Sequence, residues 1–142
     1  MKNFMLVLMV FVLASCGMAN SPEKVVENYV TNMFAGNISE CVKVMVDSDN
    51  KAISLLPEKE VKEIEEFLEG VTEYMVESLK EEYEVEEIEI ESIDFTEVDY
   101  NESKDKAKVS YQLKVKGIDK LVDDLNTNCV KVDGEWKMVL GN

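Results

Sequence analysis

Apolar positions in this chain change period twice, from an unbroken run to helical spacing and then to alternation, and the changes divide it into elements. Phe4 to Ala14 is an unbroken apolar run of eleven residues behind a single cation, Lys2. At about 1.5 Å per residue it reaches only about 16 Å as a helix, about half of a bilayer core of roughly 30 Å, so it is too short to span a membrane. From Val25 the apolar residues recur at helical spacing: Val25, Val26, Tyr29, Val30, Met33 and Phe34. Ser21 as N-cap, Pro22 at the first helical position and Glu23 in the first turn predict where this helix starts, and Gly36-Asn37 predicts its left-handed stop. A second, shorter helix is predicted over Ile38 to Val46, broken by Asp47-Ser48-Asp49-Asn50. Pro57-Glu58 opens a long third helix running to about Tyr83, with the apolar stripe Val61, Ile64, Phe67, Leu68, Val71, Met75 and Leu79 and a glutamate-rich opposite face. Gly70, in its middle, costs about 1 kcal/mol relative to Ala and marks a bend or a close contact.

From Val85 the period becomes two. Ile88 and Ile90 alternate with glutamates, the apolar parity shifts to Ile93 and Phe95, and shifts again to Val98 and Tyr100, each shift being what one β-bulge produces. After a turn over Asn101 to Asp105, Ala107, Val109, Tyr111, Leu113 and Val115 alternate with Lys106, Lys108, Ser110, Gln112, Lys114 and Lys116, a strand with one buried face. Its lysines lying beside the glutamates of the preceding strand favour antiparallel pairing. Lys120 to Leu125 fits a short helix or an irregular crossing. Cys129 to Val132 and Glu135 to Leu140 predict a hairpin around Asp133-Gly134, with Val130 and Val132 facing Trp136, Met138 and Leu140.

Composition removes several chemistries. The chain has 30 acidic residues, 15 basic residues and a net charge of −15, which repels nucleic acid and anionic headgroups. It contains neither His nor Arg. The usual general base near neutral pH, the Ser-His and Cys-His arrangements and the commonest zinc ligand are therefore missing, as is the planar fork that grips phosphates. Asp47-Ser48-Asp49 followed by Glu58 has the outline of a calcium loop, but Lys51 and Ala52 stand where an oxygen ligand and the turning glycine belong. No metal site, cofactor or catalytic residue is nominated. Two readings of Cys41 and Cys129 stay open: a disulfide in an oxidising compartment, or two separate small apolar residues.

Leu13-Ala14-Ser15-Cys16, closing the apolar run, is similar to a lipobox. It implies a signal peptide over residues 1–15 that is removed, Cys16 as the lipidated first residue, a short tether over 16–21, and one α+β domain over 22–142. Several acyl chains, as the resemblance implies, give lasting membrane attachment. Gly17 rather than Asp after Cys16 favours the outer membrane over the outer side of the cytoplasmic membrane, by analogy with enteric sorting.

The opening Ser21-Pro22-Glu23-Lys24-Val25-Val26-Glu27-Asn28-Tyr29, with Gly36-Asn37, and the closing Val130-Lys131-Val132-Asp133-Gly134-Glu135-Trp136-Lys137-Met138 resemble small bacterial lipoproteins of uncharacterised function. Those proteins have a nuclear-transport-factor-2-like, cystatin-like fold: an α+β roll of N-terminal helices on a curved antiparallel sheet. The resemblance implies a pocket between sheet and helices, lined here by Tyr29, Met33, Phe34, Phe67, Tyr74, Tyr111, Trp136 and Met138, unless those side chains simply fill the core. The expected function is a non-enzymatic, membrane-anchored binding module in the cell envelope, taking a protein partner or a small apolar ligand. An assembly role without ligand and an enzyme using a buried carboxylate are the alternatives.

Overall fold

The computed structural model describes residues 21–140. The apolar run, the Leu13-Ala14-Ser15-Cys16 quartet and the tether up to Asn20 lie outside the described residues. Helix α1 (Pro22–Phe34) starts where its cap predicts: Ser21 Oγ accepts the Lys24 backbone N–H at 3.2 Å and Pro22 occupies the first turn. Gly36, at φ +84°, closes it by two back-bonds, Gly36 N–H to Met33 O and Asn37 N–H to Asn32 O. That is the left-handed cap a helix-ending glycine makes. Val25, Val26, Val30 and Met33 are buried along one face.

The second predicted helix is shorter than its pattern. Helix α2 is Ile38–Val42, and Met45–Val46 is instead strand β1, parallel to the last strand. Tertiary pairing overrides local periodicity here: Met138 N–H donates to Val44 O and Leu140 N–H to Val46 O, each at 2.8 Å. In the loop that follows, Asp47 Oδ1 accepts the backbone N–H groups of Asp49 and Lys51 at 2.8 and 2.9 Å, so this carboxylate caps its own turn. A short 3₁₀ turn, Ile53–Leu55, buries Ile53 completely.

Helix α3 (Glu58–Tyr83) has the predicted limits and ends on Glu84 in the left-handed region, whose N–H returns to Lys80 O. Strand β2 (Ile90–Tyr100) begins five residues later than the change of period at Val85, and its pairing with β3 (Lys106–Val115) shifts register between Ile90 and Ser92 and between Phe95 and Glu97, where the parity of the sequence shifts. On β3, Ala107, Val109, Tyr111, Leu113 and Val115 are all buried. The segment left between helix and crossing is a strand: β4 runs Leu121–Val132, pairing Leu121 with Lys114 and Val122 with Leu113. A register shift between Tyr111 and Leu113 breaks the alternation that would have revealed it. Strand β5 (Glu135–Val139) returns through Asp133 (φ +52°) and Gly134 (φ +85°), the two left-handed positions of a type I′ turn.

The sheet order is β1-β5-β4-β3-β2, antiparallel except for the β1–β5 edge, so the sheet is mixed rather than wholly antiparallel. Register also corrects the facing of the last hairpin. Cys129 lies opposite Met138 and Lys131 opposite Trp136, while Val130 lies opposite Lys137. Paired residues share a face, so Trp136 and Met138 share the core side with Cys129, and Val130 lies on the other side. Among the described residues no helix is long and apolar enough to cross a membrane.

Leu113 is fully buried in the core cluster with the α1 valines. Leu113→Ala should therefore lower unfolding stability by about 2–5 kcal/mol, whereas Lys108→Ala, exposed on the other face of the same strand, should change it by less than about 0.5 kcal/mol. Urea titrations followed by far-ultraviolet circular dichroism measure both.

Candidate functional site

The concave face of the sheet meets α1 and α3 around an inner cavity of about 170 Å³. α1 supplies Tyr29, Val30, Met33 and Phe34, α3 supplies Val71 and Met75, and the strands supply Tyr111, Leu113, Leu125, Asn126, Thr127 and Met138. Of the residues the sequence nominated, Tyr29, Met33, Phe34, Tyr111 and Met138 come together here. Trp136 is buried in the core but does not line this cavity; its ring lies 6.0 Å from that of Tyr100 and edge-on to it. Phe67 and Tyr74 do not join them: both are exposed on α3. One helical turn cannot bury every apolar position, and Leu68 takes the inward place beside Phe67.

Sequence reasoning missed Asn126 and Thr127, which give the cavity two of its polar groups. They sit on the part of β4 next to the register shift, where no clean alternation marks the chain as a strand. Val71 and Met75 are legible as members of the α3 stripe, although neither is among the residues expected to line the pocket.

Burial controls the ionisable groups around this cavity. Desolvation, reinforced by the neighbouring Cys41, pushes the Tyr29 hydroxyl up to about 12. Tyr111 is raised well above the ordinary tyrosine range by burial, then by Tyr29 and Cys129. Its ring centroid lies 6.3 Å from that of Phe95. Burial pushes the Cys41 thiol up to about 11, its own backbone hydrogen bond opposing and Glu40 adding to the rise. The Cys129 thiol rises to about 12, through burial first and Glu23 second. Every one of these groups is held in its protonated form at neutral pH.

Cys41 and Cys129 are both buried free thiols, so no bridge joins them. Cys41 Sγ donates to the Tyr29 backbone oxygen at 3.4 Å, while Cys129 is fixed in β4 between Ala107 and Met138. Each thiol fills its own place in the core, as a small apolar residue does. Among the described residues, the cavity lining offers hydroxyls and one carboxamide, and no carboxylate or ammonium group. These side chains can shelter an apolar group and hydrogen-bond a polar atom attached to it; none of the described ones is a base that could activate a nucleophile.

Further depressions among the described residues lie outside the core, one of them a cleft of about 290 Å³ between α1 and the start of β2, lined by Thr31, Phe34, Ile90 and Ile93. A groove of about 400 Å³ opens on the outer face of the sheet between the Asp47–Lys51 loop and β3–β4, with Asn50, Asp99, Lys106, Lys108 and Asn128 among its walls. A cleft of about 370 Å³ lies between α3 and the end of β5, walled by Ile64, Phe67 and Leu140 and edged by Glu60 and Glu63. Among the described residues, no group of three or more acidic or cysteine side chains is placed to hold a metal ion.

No protein-family model matches the sequence, and no curated protein matches it either. Among solved structures, the chain is similar to a crystal structure from Campylobacter jejuni described as an NTF2-like transpeptidase, with a TM-score of 0.60 and 17% sequence identity. The likeness covers 84% of this chain and 98% of that one. Identity this low carries the architecture and no chemistry. Helices packed on one side of a curved, mixed sheet, in this order and over this span, give the chain the NTF2-like α+β fold.

Proposed function

We propose that this protein is a lipid-anchored lipoprotein of the cell envelope whose α+β roll is a non-enzymatic binding module, engaging a protein partner through its outer surface. Support for the anchor is the Leu13-Ala14-Ser15-Cys16 quartet at the end of an apolar run too short to span a bilayer. Cys16 carries the lipid, and residues 16–21 hold the domain close to the outer side of the cytoplasmic membrane or, favoured by Gly17, to the outer membrane.

The observation that carries the binding reading is the mismatch between the inside and the outside of the roll. Pockets for small molecules run from about 300 to 1,000 Å³. The inner cavity holds about 170 Å³, while large apolar side chains stand exposed on α3. A small apolar ligand has little room within; a protein has a surface without. The structural neighbour is described as a transpeptidase, but acyl transfer needs a nucleophile with a partner base. Here the buried thiols and phenols are raised, not lowered, and the chain has no His.

Metabolic labelling with a radioactive or clickable fatty acid should mark the wild-type protein and miss Cys16→Ala, with the wild type recovered in the membrane fraction. Equal labelling of both proteins contradicts the anchor. A second test separates binding from catalysis. Because Cys41 and Cys129 stay protonated in the fold beyond the pH at which they ionise in the unfolded chain, their contribution to stability is intact below about pH 9 and falls as pH rises toward about 12. At pH 8 a thiol-reactive chromophore should therefore label both cysteines slowly in the native protein and at once in urea. Rapid labelling of native protein at neutral pH would identify an activated thiol and contradict the non-enzymatic reading.

A further inference from the structure

Helix α3 rests on the body by a narrow stripe: Leu68 and Leu79 are buried, and Val61, Ile64, Met75 and Tyr83 pack against the core while partly exposed. Next to that stripe, Phe67, Val71 and Tyr74 form a second apolar row at spacings of four and three residues. Phe67 is 63% and Tyr74 76% exposed, and Val71 is half-buried. The cleft walled by Ile64, Phe67 and Leu140 continues this row toward the end of β5.

One helical row further out runs Glu63, Glu66, Glu73, Glu77 and Glu81, all exposed, with Gly70 filling the gap between Glu66 and Glu73. Glu77 is 3.4 Å from Lys80, and the helix as a whole carries ten glutamates against three lysines. Gly70 is not demanded by the chain's own packing or backbone. A Cβ built there meets nothing within 4 Å, and its φ is not in the left-handed region. A glycine that weakens an exposed helix without an internal reason is suited to the close approach of another backbone.

From these three observations we infer that the outward shoulder of α3 is a docking surface for a cationic amphipathic helix of a partner protein. Its apolar row seats on Phe67 and Tyr74, beside the half-buried Val71 at the edge shared with the inner cavity, its Lys or Arg row pairs with the glutamates, and its backbone crosses at Gly70. This is the helix-in-groove mode with charge complementarity setting the register. Charge decides against the other occupants. A second copy would bring the same acidic row against itself, and an anionic lipid surface would be repelled. The inference rests on the partner-binding reading above and is independent of the anchor.

The probe is a fluorescent synthetic helix with one Leu row and one Lys row, compared with a peptide of the same composition in scrambled order. Anisotropy is read against the full chain in phosphatidylcholine nanodiscs. The patterned helix should bind at least about tenfold more tightly than the scrambled one. The Phe67→Ala/Tyr74→Ala protein should lose at least about tenfold in affinity with its melting unchanged, because both side chains are exposed. Gly70→Ala should melt higher yet bind more weakly, a combination that a merely structural glycine does not give. Glu66→Gln/Glu73→Gln should weaken binding and flatten its salt dependence.

Equal affinity for the two peptides, binding unaffected by Phe67→Ala/Tyr74→Ala, or a wild-type dimer that those substitutions dissociate would each overturn the inference. Fatty-acid labelling of the same samples separates the two claims. Labelled protein that does not bind refutes the docking surface alone, and unlabelled protein that binds refutes the anchor alone.

Discussion

The alternation along β3 is the constraint from which the rest of the molecule follows. Five consecutive inward positions, Ala107, Val109, Tyr111, Leu113 and Val115, are buried, and they share one cluster with Val25, Val26 and Val30 of α1. β3 has strands on both sides, β2 and β4, so its hydrogen bonds and its side chains are satisfied in different directions. Slipping its register by one residue would turn five apolar side chains outward and the lysines inward, which no neighbouring element could tolerate. The curvature of β2, the position of α1 and the size of the inner cavity are all set against this row.

α3 stands in a different relation to the core. It is twice the length of α1, yet it buries far less of itself, and its outward side combines glutamates with exposed aromatic groups. Burial of apolar area is the main source of helix stability in a folded protein, so a long helix with a thin contact is a peripheral element. The inner cavity, being small and lined by groups that keep their protons, belongs to the same economy: the roll is filled to make it stable, and its unspent apolar surface lies outside.

Much of this was legible in the sequence where one physical signal acted alone. The cap at Ser21-Pro22, the end of α3 near Tyr83, the two bulges in β2 and the turn at Asp133-Gly134 are local, and each appears where its residues require it. β1 was not legible, because Met45 and Val46 continue a helical pattern and only the distant β5 makes them a strand. The start of β4 was hidden by its register shift, and with it Asn126 and Thr127 of the cavity. The exposure of Phe67 and Tyr74 was not legible, because periodicity identifies a face of a helix and not how far the body extends beneath it. The hairpin facing failed for a similar reason: Val130 is apolar on both readings, and only the pairing of Lys131 with Trp136 decides which way it turns.

Native-state hydrogen exchange tests most directly the division between a packed roll and an outlying helix. The amides of Val109, Tyr111 and Leu113 should exchange only through global unfolding, while those of α3 from Glu63 to Glu77 should exchange through a local opening of clearly lower free energy. Amides of α3 as slow as those of β3, with the same denaturant dependence, would instead make the helix an integral part of the core.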